Sequence, residues 1–244
     1  MVYLTLLFAA SFALVHLFIS RLRFLHVVPR SRWLSAAGGI AVAYVFLHIL
    51  PELSSHQKTF AEGLGLSGRA AEGWVYLLAL TGLITFYGLE QAAKSSRKQI
   101  SGAKENGRAE MKIFWLHIGS FGLYNVIIGY LLLHREEAGL GSLVFYFIAM
   151  ALHFMASDFG LRQYHRHRYD RSGRWMLAGA IMAGWTLGMF VELPQIVIGF
   201  LFAFLAGSVV LNVLKEELPE ERESRFWPFA IGSSAYAALL VAVG

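Results

Sequence analysis

Eight apolar stretches run along the chain, each about long enough to cross a bilayer. Roughly 20 residues of helix span the hydrocarbon core. The third stretch is short by itself and is expected to extend to Glu72 or Gln91. The stretches occupy residues 2–19, 33–53, 74–89, 113–133, 143–161, 175–191, 194–214 and 226–243. The pattern predicts an all-α, polytopic membrane protein with eight transmembrane helices.

The composition agrees with this prediction. Apolar residues make up 57% of the chain and charged residues only 15%, whereas a soluble domain carries about 25% charge. Nearly every residue lies in or beside a span, which predicts a single transmembrane domain over residues 1–244. The polar insert at residues 91–112 cannot bury enough apolar surface to fold alone, so a flexible cytoplasmic loop is expected at about 92–111. The absence of cysteine excludes disulfides and thiolate ligands.

The basic residues predict the orientation. All lysines and arginines except Lys58, Arg69 and Arg135 lie in the gaps after spans one, three, five and seven. By the positive-inside rule these gaps are cytoplasmic, so both termini should face outward, across a plasma membrane or a bacterial inner membrane. The net charge of +5 thus suits the headgroups of a lipid bilayer, and no nucleic-acid partner is expected.

Two spans share a spacing that suggests an internal repeat. Eleven residues separate Gly39 from Pro51-Glu52, and the same number separate Gly207 from Pro219-Glu220. With the predicted topology the two spans run in opposite directions, as in an inverted repeat of spans 1–3 and 6–8. The alternative is a chance similarity between apolar segments. Because proline removes an intrahelical hydrogen bond, both helices are expected to kink or end there.

The ends of these two spans also resemble a known family. Residues 46–52 (FLHILPE), and residues 206–212 (AGSVVLN) with the following 217–221 (ELPEE), are similar to the second helix (LHLLPE) and seventh helix (LPEE) of the ZIP (Zrt/Irt-like) metal transporters. The resemblance implies eight spans with outward termini. It also implies transport of a divalent cation of the zinc, iron or manganese class towards the cytoplasm. The metal is then a substrate, and no resident cofactor is expected.

The chain departs from the family in the two motifs that build its metal site. ZIP transporters carry HNxxDG in the fourth helix and HExPHE in the fifth. Here Asn125 matches, while Tyr124 stands where histidine belongs and Ile128 where aspartate belongs. The fifth helix has His153 and a trailing Asp158, but no glutamate. Only Asn125, His153 and Asp158 carry over as ligand candidates, and they cannot form the family's binuclear site.

These residues and His117 suggest a polar pathway along spans four and five. Ionisable groups inside a membrane are costly and therefore mark functional sites. We expect Asn125 and His153 near mid-depth, and His117 with Asp158 nearer the cytoplasm as an exit. On a regular helix His153 shares a face with Ser157 but lies about 140° from Asp158, so one metal should not take both. The alternative is that these side chains only hydrogen-bond neighbouring helices.

Other histidines lie near the ends of spans. His48 and Glu52 are candidates for capturing a cation at the outer mouth, and the alternative is a cap or a packing role. His16 and His134 are predicted to be interfacial. The His-x-His run at residues 165–167 is interpreted as a basic hairpin, since neighbouring arginines would repel a divalent cation.

The combined prediction is a ZIP-like divalent metal transporter. The alternative is a non-transporting ZIP-fold scaffold or regulator with a dismantled metal site. No catalytic residues are assigned and no enzyme is expected, because neither a phosphate-binding glycine loop nor a His-Glu-x-x-His helix is present. An intramembrane hydrolase using Asp158 with His117 or His153 is a weaker alternative. Glycine-rich faces would suit a homodimer.

Overall fold

The computed structural model describes residues 2–21, 32–65, 68–100, 106–135, 139–217 and 225–243. These residues are almost entirely helical and contain no strand, which confirms the all-α prediction. Each predicted span coincides with a helix, the second with two consecutive ones. The helices are α1 (Val2–Phe18), α2 (Arg32–Tyr44), α3 (Leu50–Leu64), α4 (Gly68–Ile100), α5 (Asn106–Leu131), α6 (Leu140–Arg168), α7 (Arg174–Phe190), α8 (Gln195–Glu217) and α9 (Phe226–Val243).

Five of the described helical segments are long and apolar enough to cross a membrane. They are Val2–Arg21, Ser35–Leu64, Glu72–Gln91, Met111–Leu131 and Leu140–Arg162, and two shorter apolar helices follow them. The expected extension of the third span to Glu72 and Gln91 is confirmed. The described chain therefore has the make-up of a multi-pass helical membrane protein.

The predicted loop at about 92–111 is largely helical, so that expectation was wrong. Helix α4 continues to Ile100 and α5 begins at Asn106, and residues 101–105 lie outside the described ranges. The insert contains alanine, lysine, arginine, glutamine and glutamate, which all favour helix. Intrinsic helix preference therefore accounts for the helical backbone of the described part of the insert.

The predicted break at Pro51 is also absent. A π-helical turn, Val45–Ile49, joins α2 to α3, and the Leu50 N–H bonds to the Val45 carbonyl. Pro51 lies in the first turn of α3, which continues to Leu64 and ends at Gly65 with φ 64°. The wider turn accommodates a residue without an N–H, so the helix passes through it. Pro219 lies outside the described residues.

Glycines bring three pairs of helices into backbone contact: α2 with α9, α4 with α8, and α5 with α7. In each pair both helices supply a glycine, and a Cβ there would collide with a carbonyl oxygen of the other helix. That carbonyl is always three residues before the partner's glycine. The contacts are Gly39 with Phe229 and Gly232 with Ala36, Gly82 with Phe204 and Gly207 with Ala79, and Gly129 with Ile181 and Gly184 with Val126. Small residues allow this close approach between membrane helices.

The bundle has two ends, which we name by residues that lie there. At the His134 end α5 stops and α6 starts, and Gly63 of α3 lies against Ile196 at the start of α8. At the Arg168 end α6 turns into α7, and Arg174 Nη1 donates to the Leu17 carbonyl (3.3 Å). A core of buried aliphatic and aromatic side chains fills the bundle between them.

Candidate functional site

Three buried polar side chains from three helices meet inside the bundle. His16 of α1 lies with Nδ1 2.7 Å from Asp158 Oδ2 of α6 and with Nε2 2.8 Å from Asn125 Oδ1 of α5. Each of the three residues is 1% exposed. We call His16, Asn125 and Asp158 the central cluster. His16 is buried among the helices, which the sequence did not indicate, and its predicted place near the membrane interface stays a prediction.

The hydrogen bonds of the central cluster fix where its protons are. Asn125 Nδ2 donates to the Phe121 carbonyl (2.8 Å), so its Oδ1 is the atom that faces His16. Because Oδ1 only accepts, His16 Nε2 must carry a proton. A second proton then lies between His16 Nδ1 and Asp158 Oδ2. The pair is neutral overall and holds one proton that either partner can carry.

Aromatic side chains surround the central cluster. The Phe154 ring centroid is 4.8 Å from that of His16 and 5.1 Å from that of Phe12. Tyr169, in the π-helical turn Tyr169–Gly173, is fully buried on the Arg168 side. Burial and then the Asp158 carboxylate raise the pKa of its phenol. The phenol therefore stays protonated beside a carboxylate whose charge it can stabilise.

His153 belongs to a separate group of side chains. Its Nε2 lies 3.0 Å from the Tyr124 hydroxyl and 3.4 Å from Ser157 Oγ, and the residue is buried. The prediction that His153 and Ser157 share a face of α6 is confirmed. Asp158 contacts His16 instead, so the structure holds His153 and Asp158 with different partners.

His117 lies against His165 near the Arg168 end. Its Nδ1 is 2.9 Å from His165 Nε2. His165 departs from helical geometry, with φ −134° and ψ 35°, where α6 bends before the turn into α7. The expected neighbour of His117 was Asp158, so the structure gives the histidine a partner that the sequence did not indicate.

Within the described ranges, no three histidines, aspartates or glutamates converge on a point where they could hold a metal. The central cluster nevertheless offers an imidazole nitrogen, an amide oxygen and a carboxylate. Such nitrogen and oxygen donors suit zinc, iron and manganese. They bond to one another in this structure, so a metal would have to replace the shared proton and separate them.

The outer-mouth candidates lie together at the His134 end. His48 Nε2 is 3.5 Å from Glu52 Oε2, and both side chains are buried. The π-helical turn carries His48, whose ring stacks on Tyr44 with centroids 4.9 Å apart. Glu52 also lines a cavity at this end. His134, predicted to be interfacial, is half-buried and stacks on Tyr130 with centroids 4.3 Å apart.

The residue that sequence reasoning missed is His16. It was assigned to the interface from its place near the end of the first stretch, and no local spacing indicated that its side chain contacts α5 and α6. The rule that ionisable groups within a span mark sites would have found it. No family model matches the chain, and the comparisons with curated proteins and with solved structures also give no match.

Proposed function

We propose that the protein is a ZIP-like membrane carrier that moves a divalent cation of the zinc, iron or manganese class towards the cytoplasm. The observation that carries the proposal is the central cluster. Three helices each contribute a polar side chain that is 1% exposed. Polar and ionisable groups are costly inside a membrane, and a function accounts for their retention.

The central cluster joins a side chain of the first span to donors of the fourth and fifth spans. Asp158 provides a carboxylate and Asn125 an amide oxygen, and His16 adds an imidazole from the first span. A divalent cation that binds there displaces the proton shared by His16 and Asp158. Cation entry is thereby linked to release of a proton. His117 and His165 lie on the way to the Arg168 end, which is cytoplasmic in the proposed topology.

The glycine contacts support an inverted repeat of spans 1–3 and 6–8. In such a repeat span two (α2) corresponds to span seven (α8), and span eight (α9) corresponds to span three (α4). The α2–α9 pair therefore corresponds to the α8–α4 pair. Gly39 and Gly232 then correspond to Gly207 and Gly82, and all four face the carbonyl three residues before the partner glycine. Eight crossings with both termini outside fit this arrangement. Alternating access would rock the two halves about the central cluster.

The test is metal flux in liposomes that contain the purified protein. We expect zinc, iron(II) or manganese to enter faster than in empty liposomes. Asp158→Asn keeps the shape of the side chain but removes its charge, so it should lower the flux at least tenfold. Ser120→Ala is the matched control on α5, because the Ser120 hydroxyl only bonds to the Leu116 carbonyl of its own helix. Flux equal to that of empty liposomes, or an Asp158→Asn flux equal to wild type, would contradict the proposal.

A second candidate is a non-transporting ZIP-fold scaffold or regulator. It is favoured by the fact that the polar groups of the central cluster already bond to protein partners. Such bonds hold membrane helices together without a ligand. Metal analysis of the purified protein separates the two candidates. Stoichiometric metal that is lost in Asp158→Asn favours the carrier, whereas a metal-free protein without flux favours the scaffold.

A further inference from the structure

A cavity at the His134 end is lined by side chains of α2, α3, α5, α6 and α8 and by Arg135. It is small, with room for the centres of water-sized spheres over about 20 Å³. Ile49, Leu131 and Phe202 form part of its apolar wall. The cavity is separate from the central cluster, which lies towards the Arg168 end.

Two hydrogen-bond donors on the cavity wall have no partner among the described residues. One is the Tyr146 hydroxyl, on a side chain that is 7% exposed, and the other is Arg135 Nε–H. Both atoms are buried. A buried donor that loses water without gaining an acceptor costs free energy, so such groups in folded proteins usually face a ligand or bound water.

The position of Arg135 is fixed by contacts that leave Nε–H available. Its Nη1 donates to Ser142 Oγ at 2.9 Å, and its guanidinium lies over the Tyr146 ring, 6.0 Å from the centroid. Ser142 is neutral, so it does not balance the charge of Arg135. A guanidinium N–H and a phenol O–H that line one cavity can each donate to an oxygen of a carboxylate.

Glu52 also lines the cavity. This carboxylate is 3.5 Å from His48 Nε2, and the cavity also contains His56. Arg135 opposes the entry of a bare divalent cation, because like charges repel strongly where little water screens them. A solute that presents a carboxylate to Arg135 is attracted instead, because the two charges are opposite. An ammonium group on the same solute would face Glu52.

We propose that this cavity binds the carboxylate group of a small solute, with Arg135 Nε–H and the Tyr146 hydroxyl each donating to one carboxylate oxygen. The apolar wall and the aromatic ring of Tyr44 limit the solute to a few heavy atoms. Acetate and glycine are suitable probes. Arg135 and Tyr146 are not part of the proposed metal pathway.

Titration calorimetry of the full-length protein in detergent tests the proposal, with sodium acetate and glycine as probes and sodium chloride as the ionic-strength control. We expect saturable binding of acetate that chloride does not reproduce. Tyr146→Phe removes only the hydroxyl, and Arg135→Gln removes the charge, so each should weaken binding at least tenfold. Tyr76→Phe and Arg69→Gln, at exposed positions on α4, should bind as the wild type does.

Comparing the free amino acid glycine with acetate tests whether the site also binds an ammonium group. Tighter binding of glycine than of acetate, lost in Glu52→Gln, supports a zwitterionic solute. Equal binding of the two supports recognition of the carboxylate alone.

The proposal is overturned if acetate and glycine show no saturable binding, or if Tyr146→Phe and Arg135→Gln bind as tightly as wild type. Thermal unfolding of each variant shows whether it is folded, and Arg135→Lys retains the charge if Arg135→Gln fails to fold. Metal flux is measured in a separate experiment, so a negative result for carboxylate binding does not decide whether the protein transports metal.

Discussion

At the scale of single residues, the contact between His16 and Asp158 matters most. Removing two charged groups from water is expensive, and an ion pair repays that cost only when its geometry is good. The 2.7 Å contact, together with Asn125 on the other ring nitrogen, meets that condition. Loss of one partner would leave the other buried without its counter-charge or proton.

We expect His16→Ala and Asp158→Ala each to lower the free energy of unfolding by about 3 kcal/mol. The double variant should lose clearly less than the sum of the two, because the second substitution removes a group that is already unpaired. Unfolding in detergent, followed by circular dichroism, measures the three values. Additive losses would show that the two side chains are not coupled, in disagreement with the structure.

The sequence indicated some of these contacts and missed others. His153 and Ser157 are four residues apart in one helix, so helical geometry alone predicts their contact. Asp158 and His16 are 142 positions apart, and no local spacing relates them. Their contact depends on how α1 packs against α6, which neither helix specifies by its own pattern. Arg135 and Tyr146 were missed for the same reason, since their cavity is closed by α2, α3 and α8.

At the scale of helices, glycines decide which elements can touch. Gly184 of α7 lies against the Val126 carbonyl of α5, whereas a Cβ at Gly179 of the same helix would meet nothing within 4 Å. The two glycines lie in the same helix, five residues apart. Both glycines have the same intrinsic helix preference, but only Gly184 is packed against another helix. Substitutions at the two positions can therefore be compared directly.

We expect Gly184→Ala to lower the free energy of unfolding by about 1–3 kcal/mol, because the added methyl group forces the α5 and α7 backbones apart. Gly179→Ala should leave stability unchanged or raise it slightly, since alanine favours helix over glycine. Thermal unfolding of both variants in detergent tests this. Equal effects at the two positions would argue against close packing of α5 on α7.

The positions of the helices could largely be predicted from the sequence. The turn that connects α2 to α3 and the extension of α4 could not. Long apolar runs identified the positions of the helices, since each predicted span coincides with helix in the structure. The π-helical turn at Val45–Ile49 leaves no signal except Pro51, which the rules for regular helices interpret as a break. The extension of α4 to Ile100 was missed because hydropathy detects only the part of a helix that lies in lipid.

At the scale of the whole molecule, the proposed topology can be tested with single cysteines, because the chain has none of its own. We expect Lys58→Cys and Tyr3→Cys to react with a membrane-impermeant maleimide added to intact cells. Arg168→Cys should react only after the membrane is permeabilised. Labelling of all three from the same side would contradict the proposed topology, in which three crossings separate Lys58 from Arg168.

The length of α4 has a mechanical consequence. Its 33 residues make a helix about 50 Å long, longer than the roughly 30 Å of hydrocarbon in a bilayer. In the proposed topology the remainder of α4 extends beyond the bilayer on the cytoplasmic side as part of the same continuous helix. Phe86 of this helix lies edge-on to Tyr124 at 6.0 Å, and Tyr124 in turn bonds to His153. A force that displaces the extended end of α4 would therefore also move side chains deep inside the bundle.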